Sequence, residues 1–283
     1  MMDGHWQSGS RDCTIKLWDV ATGRLERTLD GSSQRIYSVT FGVDGTLVSG
    51  SEQITVWDLA TGQQRRTLTG HSSWVETVAC SADGKLLVSV SLDAIKIWDI
   101  NTGRELQTLT APDDTFNSIA LSADGKVVAS AGMEHAVRLW AVTTGQHLLT
   151  LSGKAEPVNS VTLSPDGKAL VIQSQSDDLS NNKTTRLWDV ASGQTPRSLE
   201  SFLGFSPDSR AVAIKIQDNT IKLSNASTGE VVGTFTGPLD VGSFAALSPN
   251  GKTLAVSSLR DRMIKLWDVD TGQKLRTITT GHF

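Results

Sequence analysis

The stretch RDCTIKLWDVATG, residues 11–23, constrains this chain more than any other feature, because it returns six more times. The later copies are EQITVWDLATG (52–62), LDAIKIWDINTG (92–103), EHAVRLWAVTTG (134–145), NKTTRLWDVASG (182–193), DNTIKLSNASTG (218–229) and DRMIKLWDVDTG (261–272). The tryptophan position falls at Trp18, Trp57, Trp98, Trp140, Trp188, Ser224 and Trp267. A chain built of phased copies repeats one supersecondary unit, and each unit needs its neighbours to cover its apolar faces.

Each full copy reads as four short strands, called a to d from the innermost outward. In residues 70–109 strand a is VETVAC (75–80), b is KLLVSVS (85–91), c is AIKIWDI (94–100) and d is RELQTL (104–109). Asp83-Gly84 supplies the positive φ that a tight hairpin turn needs, and Gly103 does the same between c and d. In strand c, Ile95 and Ile97 point to one face and Trp98 to the other, so both faces of the sheet are covered. Strand d is heavily charged (RLERTL, QQRRTL, RELQTL), as an outer edge strand must be to resist pairing with other molecules. No sustained helical periodicity competes, and Gly-containing turns recur every 8–12 residues. The chain is therefore all-β.

A period of roughly 40–45 residues with a Trp-Asp pair is the mark of a propeller blade. The expected fold is a seven-bladed β-propeller of four-stranded antiparallel blades, residues 1–283 forming one domain. The c strands are expected near 14–19, 54–58, 94–100, 136–142, 184–190, 220–225 and 263–269. The turn between a and b occurs only six times, from Asp44-Gly45 to Asn250-Gly251, so the first blade lacks its innermost strand. Residues 5–10 can supply its strand b. Either the chain is a portion of a longer protein, with the missing strand beyond Phe283 or before Met1, or the first blade is three-stranded by nature. The former is favoured. In both cases the ring must close by docking the N-terminal strands beside the last blade. The polar segment SQSDDLSNNKTT (174–185) reads as a solvated insertion between b and c. Ser224 cannot fill the volume of a tryptophan, so the sixth blade is expected to be the loosest.

Composition excludes several classes. A net charge of −4 and a pI near 5.7 give no basic footprint for nucleic acid. Cys13 and Cys80 have no metal or disulfide spacing and read as small buried residues of β segments. The start MMDGHWQSGSRD has no basic-then-apolar character of a signal peptide, and no apolar run approaches the ~18 residues that span a bilayer. A cytoplasmic monomer with no membrane association is expected.

The repeated phrases LWDVATG and LSPDGK resemble the WD-repeat family of β-propellers, and within it the regular WD-repeat proteins of bacteria. The resemblance covers essentially the whole chain. It implies a disk around a central channel that acts as an interaction platform without catalysis. It also implies a buried hydrogen-bonded set of His before strand a, Ser in strand b, Asp in the b–c turn and Trp in strand c. One copy holds all four, as His71, Ser91, Asp93 and Trp98. Asp can accept from the His ring while Ser links His to the indole N–H, satisfying buried donors. The other copies depart from the pattern: Gly50 and Gly132 stand at the Ser91 position and Glu52 and Glu134 at the carboxylate. Ser10, Asp12 and Trp18 survive in the first copy, with His282 as their candidate fourth member.

His71, Ser91 and Asp93 could be misread as a hydrolase triad, but their order and spacing suit the structural network. The remaining histidines share no metal-site spacing. Asp177-Asp178 and Asn181-Asn182 lack the alternating ligands and closing Glu of a calcium loop, and no phosphate-binding loop is present. No catalytic residue, metal or cofactor is expected. A binding surface is more credible. By internal alignment Trp74 corresponds to Arg35 and Thr115, and Glu76 to Tyr37, Asn117 and Asn159. The b–c turns add Arg11, Leu92, Met133 and Arg260. Tyr, Trp and Arg are the types enriched at interface hot spots. The expected function is a non-enzymatic scaffold binding a peptide or protein segment through Arg35, Tyr37, Trp74, Glu76, Asn117, Asn159 and Arg260. The alternatives are a sensor segment of a larger multidomain signalling protein or, less favoured, an enzyme built on a propeller frame.

Overall fold

The computed structural model describes residues 5–9, 12–19, 22, 24–30, 34–110, 115–132, 136–152, 158–175, 183–193, 197–199, 202–206, 208–216, 220–226, 228–236, 244–248, 251–258 and 263–279. Among these residues every regular element is a strand. The first sheet comprises β1 (His5–Gly9), β2 (Ile15–Asp19) and β3 (Leu25–Leu29), and the second β4 (Ser38–Phe41), β5 (Thr46–Gly50), β6 (Ile54–Asp58) and β7 (Gln64–Leu68). The third holds β8 (Val75–Cys80), β9 (Leu86–Ser91), β10 (Ile95–Asp99) and β11 (Glu105–Leu109). The fourth holds β12 (Phe116–Leu121), β13 (Val127–Gly132), β14 (Ala136–Ala141) and β15 (His147–Ser152). The fifth is β16 (Val158–Leu163), β17 (Ala169–Gln175), β18 (Lys183–Asp189) and β19 (Arg197–Leu199). The sixth is β20 (Phe202–Phe205), β21 (Ala211–Ile216), β22 (Thr220–Asn225) and β23 (Val231–Thr236), and the seventh β24 (Phe244–Leu247), β25 (Thr253–Ser258), β26 (Met263–Asp268) and β27 (Lys274–Thr279).

All pairings are antiparallel between sequential strands. Among the described residues there are thus six four-stranded blades, not seven, and a three-stranded first sheet in which β1 pairs with β2 and neighbours β4. Strands a of adjacent blades are neighbours around the axis: β4 beside β8, β8 beside β12, β12 beside β16 and β20 beside β24.

The core lies in the seams between sheets. Each tryptophan of strand c packs backward on the preceding sheet. Trp57 joins Ile15, Leu17 and Leu29, Trp98 joins Val48, Val56 and Leu68, and Trp140 joins Val88, Ile97 and Leu109. By the same rule Trp18 packs among Ala255, Ile264, Leu266 and Ile278. The first sheet is therefore docked on the last blade. Strand d is mostly exposed, but its final apolar residue is buried in every sheet: Leu29, Leu68, Leu109, Leu151, Leu199, Phe235 and Ile278. Burying one such side chain is worth about 1.5–3 kcal/mol, enough to hold a short polar strand against its sheet.

Two local expectations change. The insertion between b and c in the fifth blade is shorter than its polar composition suggests. Ser174 and Gln175 extend β17, Lys183 to Thr185 extend β18, and the Ser174 and Thr184 hydroxyls meet at 2.7 Å. Its centre, with Asp177, Asp178, Asn181 and Asn182, lies outside the described residues. Cys13 is not in a strand but in the turn before β2, with a φ of 68°. Cys80 ends β8, where burial pushes its thiol up to about 12.

Candidate functional site

In the third, fourth, fifth and sixth blades, strand a starts with the same irregularity. The register with strand b slips between Val75 and Thr77, Phe116 and Ser118, Val158 and Ser160, and Phe202 and Gly204. The skipped residues Glu76, Asn117, Asn159 and Leu203 are β-bulges, which re-aim a side chain away from the ladder. Three of these four are residues that the internal alignment singles out. Tyr37 occupies the same place just ahead of β4, its N–H donating to the Gly50 carbonyl at 3.0 Å. Buried Ile36 turns the exposed side chains of Arg35 and Tyr37 outward.

The structure brings two of the expected residues together. Tyr37 and Trp74 are 45% and 57% exposed, and their rings stack with centroids 6.1 Å apart and planes inclined by 26°. Two large aromatics held together in solvent leave apolar surface unspent. Beside them lies a cleft of about 360 Å³, lined by Glu52, Gln53, Gly70, His71, Ser72 and Trp74 among others. Its walls are the b–c turn of the second blade and the connection from β7 to β8. The cleft presents the Trp74 ring, the Glu52 carboxylate, the His71 segment and backbone polar groups.

The other expected residues are distributed differently. Glu76 is half-buried, and burial raises its carboxyl above the usual carboxylate range. Asn117 donates its amide N–H to the Val158 carbonyl at 3.2 Å, tying the fourth blade to the fifth, while its Oδ1 is buried without a partner. Asn159 is exposed in the fifth blade. Arg260 and the sequence candidates Arg11 and Met133 lie outside the described residues.

Below the cleft sits the buried network, with one correction. Ser89, not Ser91, joins His71 to Trp98: its Oγ accepts the Trp98 indole N–H at 2.8 Å and lies 2.7 Å from His71 Nε2. Ser89 and Ser91 share a face of β9, and pairing decides between them. Ser89 stands opposite Lys96, two residues from Trp98, and Ser91 is one step too near the turn. The fully buried Ser91 hydroxyl makes no hydrogen bond of ordinary geometry, though it lies close enough to favour the Asp93 carboxylate. His71 Nδ1 is 3.5 Å from Asp93 Oδ1, and the Ser72 hydroxyl donates to Asp93 Oδ2 at 2.8 Å. The same correction moves the alignment of the second blade, where Ser49 accepts the Trp57 indole N–H at 2.8 Å, so that Ser51, not Gly50, matches Ser91. Ser130 serves Trp140 likewise. In the fifth blade this place is Ile172, and the Trp188 indole N–H is buried without a partner. Gly70 is needed here for space as well as for its φ of 154°, since a Cβ would stand 3.1 Å from the Trp98 ring.

Desolvation holds the His71 pKa below its ordinary 6.5, against the opposing charge of Asp93. At neutral pH this ring is a neutral, engaged structural group. Ser89 is fully buried, so its hydroxyl links the ring to the indole and does not face the cleft.

Comparison with known proteins agrees with this geometry. Residues 2–19, 23–58, 62–99, 103–141, 145–189 and 229–268 match the WD domain, G-beta repeat family. The sixth blade's β20 to β22 fall between matched segments, where Ser224 replaces tryptophan. Among curated proteins, 35 residues are 54% identical to the nuclear distribution protein PAC1 of Arthroderma otae and to the nuclear distribution protein nudF of Aspergillus flavus. Each match covers 12% of this chain and 8% of the relative, less than one blade of this protein. These relatives are fungal, so the likeness to bacterial WD-repeat proteins finds no support. The repeated Trp-Ser pairs, the blades of four antiparallel strands and the match over most of the sequence place the chain in the WD domain, G-beta repeat family.

Proposed function

We propose that this protein is a non-catalytic scaffold that captures a peptide or protein segment on the face formed by its b–c turns and the connections between blades. One observation carries the reading: the stacked, solvent-exposed Tyr37–Trp74 pair beside the 360 Å³ cleft. Rigid aromatics add contact area at little conformational cost, and Tyr, Trp and Arg dominate the energetics of binding surfaces. Arg35 and Glu76 lie two residues from Tyr37 and Trp74 in sequence and would set the polarity of the surface, Asn117 and Asn159 hold the matching bulge in the next two blades, and Arg260 belongs to the same proposed set. WD-repeat propellers generally bind proteins or peptides, and the reading includes a cytoplasmic monomer without nucleic-acid or membrane partners.

Trp74→Ala and Arg35→Ala test it together. Both variants are expected to melt within about 2 °C of wild type, since exposed changes cost under ~0.5 kcal/mol. Quantitative cross-linking should then recover the wild-type partners at least tenfold less well. Unchanged recovery by two normally folded variants would remove the site.

A further inference from the structure

The opposite end of the blades carries a clasp at four seams, while the fourth blade holds the apolar Leu149 at the same position. A side chain from the middle of strand d reaches across the seam to the c–d turn of the next sheet. Arg27 donates to the carbonyls of Thr61 and Ala60 at 3.1 Å each, Arg66 to Thr102, Gln107 to Thr143 at 3.3 Å and Arg197 to Ala226. The clasp residues stand at one register position, opposite Leu17, Val56, Ile97 and Leu187 of their own strand c.

In the sixth blade that position, opposite Leu223, is Gly233. There is no side chain to cross the seam. Where Arg27, Arg66, Gln107 and Arg197 lie over the glycine of the next turn, Gly272 has nothing nearer to an ideal Cβ than the Thr234 carbonyl oxygen at 3.8 Å. A cavity of about 460 Å³ opens at this seam, with Leu223, Val232, Leu247 and Val269 as its apolar wall and Asp208 and Asn225 among its polar residues. Val232 is 70% exposed. Arg210 also lines the cavity, its backbone N–H donating to Asp208 Oδ1 at 3.0 Å.

We propose that this seam binds an arginine side chain presented by an extended segment of a partner protein, supplying from outside the guanidinium that other seams carry within the chain. The acceptors would be the carbonyls of Asp270 and Thr271, which correspond to Ala60 and Thr61. The aliphatic stem would lie along Leu223 and Val232, as arginine stems do on apolar surface. A planar fork of donors fits two adjacent turn carbonyls, whereas a lysine ammonium offers one compact point charge. The site is separate from the Tyr37–Trp74 face and stands or falls independently of it.

The test is an NMR titration of the whole chain with Nα-acetyl-arginine methylamide, using Nα-acetyl-lysine methylamide as control. Saturable shifts are expected at the amides of residues 268–272, with the lysine probe about tenfold weaker. Gly233→Arg fills the site from within. A Cβ there meets only the Phe235 ring at 3.5 Å, so the variant should fold, melt higher and lose the arginine probe by at least about tenfold. Gly233→Gln, which copies Gln107, carries the same expectation should the arginine variant fail to fold. The proposal is overturned by the absence of saturable shifts, by equal response to both probes, or by binding that survives in the folded variants.

Discussion

The hydroxyl of Ser89 accepts the indole N–H of Trp98 at 2.8 Å, and the same oxygen lies 2.7 Å from His71 Nε2. One buried atom thereby ties strand b to strand c and to the segment entering strand a. Removing it strands an indole N–H and a histidine nitrogen at once, and an unsatisfied buried group costs about 1–3 kcal/mol. Ser89→Ala should therefore destabilise by about 2 kcal/mol in urea unfolding, whereas Ser91→Ala, which removes a hydroxyl without a well-formed hydrogen bond, should cost under ~1 kcal/mol. A larger loss at Ser91 would return the network to the arrangement expected from the strand sequence alone.

Blades that have lost the serine should respond differently to loss of the indole N–H. Trp140 is bonded to Ser130 at 2.8 Å, while the N–H of Trp188 is buried beside Ile172 with no partner. Both positions lose packing volume on change to phenylalanine, but only Trp140→Phe also breaks a buried hydrogen bond. Trp140→Phe should be the more destabilising by about 1–2 kcal/mol, read as the difference between two denaturant midpoints at equal m-value.

Strand order was legible because its signals are local: apolar alternation, Asp-Gly and Thr-Gly turns and the Trp-Asp landmark each act over a few residues. Docking of the first sheet on the last blade also followed from the count of turns, and Trp18 among Ile264 and Leu266 provides its packing. What stayed hidden depends on pairing between strands. Ser89 and Ser91 have the same parity, so only the register of β9 against β10 separates them. Internal alignment found the positions of Glu76, Asn117 and Asn159, but not that they are bulges, since a bulge is a mismatch with a partner strand. Stacking of Tyr37 on Trp74 joins two blades and has no signature within either. Gly233 looks like an ordinary glycine until the register sets it against Arg27, Arg66 and Arg197.

The His71 network makes stability depend on mildly acid pH. Burial lowers the folded-state pKa of His71 below its unfolded value near 6.5, so the unfolded chain binds the extra proton first. Stability contributed by the neutral ring is complete above about 6.5 and falls as pH drops from there toward the folded-state pKa. Asp93 acts further down. Burial opposes its ionisation, but hydrogen bonds led by Ser72 win and lower it to about 2. Its contribution is present above about 3.8 and is lost as pH falls toward 2. Melting temperature should thus decline below pH 6.5, and His71→Gln should flatten the upper part of that decline while leaving the lower part. An unchanged profile in the variant would show that another group governs it.

Charged residues of the outer strands are not all idle solvent cover. Arg27 spans a seam with two hydrogen bonds of 3.1 Å to Thr61 and Ala60, and its stem passes close to Gly62. Each neutral acceptor bonded by a charged donor is worth more than an exposed ion pair, yet much of the guanidinium still faces water. Arg27→Ala is expected to cost about 1 kcal/mol. Arg104→Ala, at an exposed position just before β11, should stay within ~0.5 kcal/mol. If the clasp joins the first sheet to the second blade, the loss should appear as faster hydrogen exchange along β2 and β6 at constant protection in β17 and β21. Equal exchange in all four strands would show that Arg27 contributes to global stability without acting at its own seam.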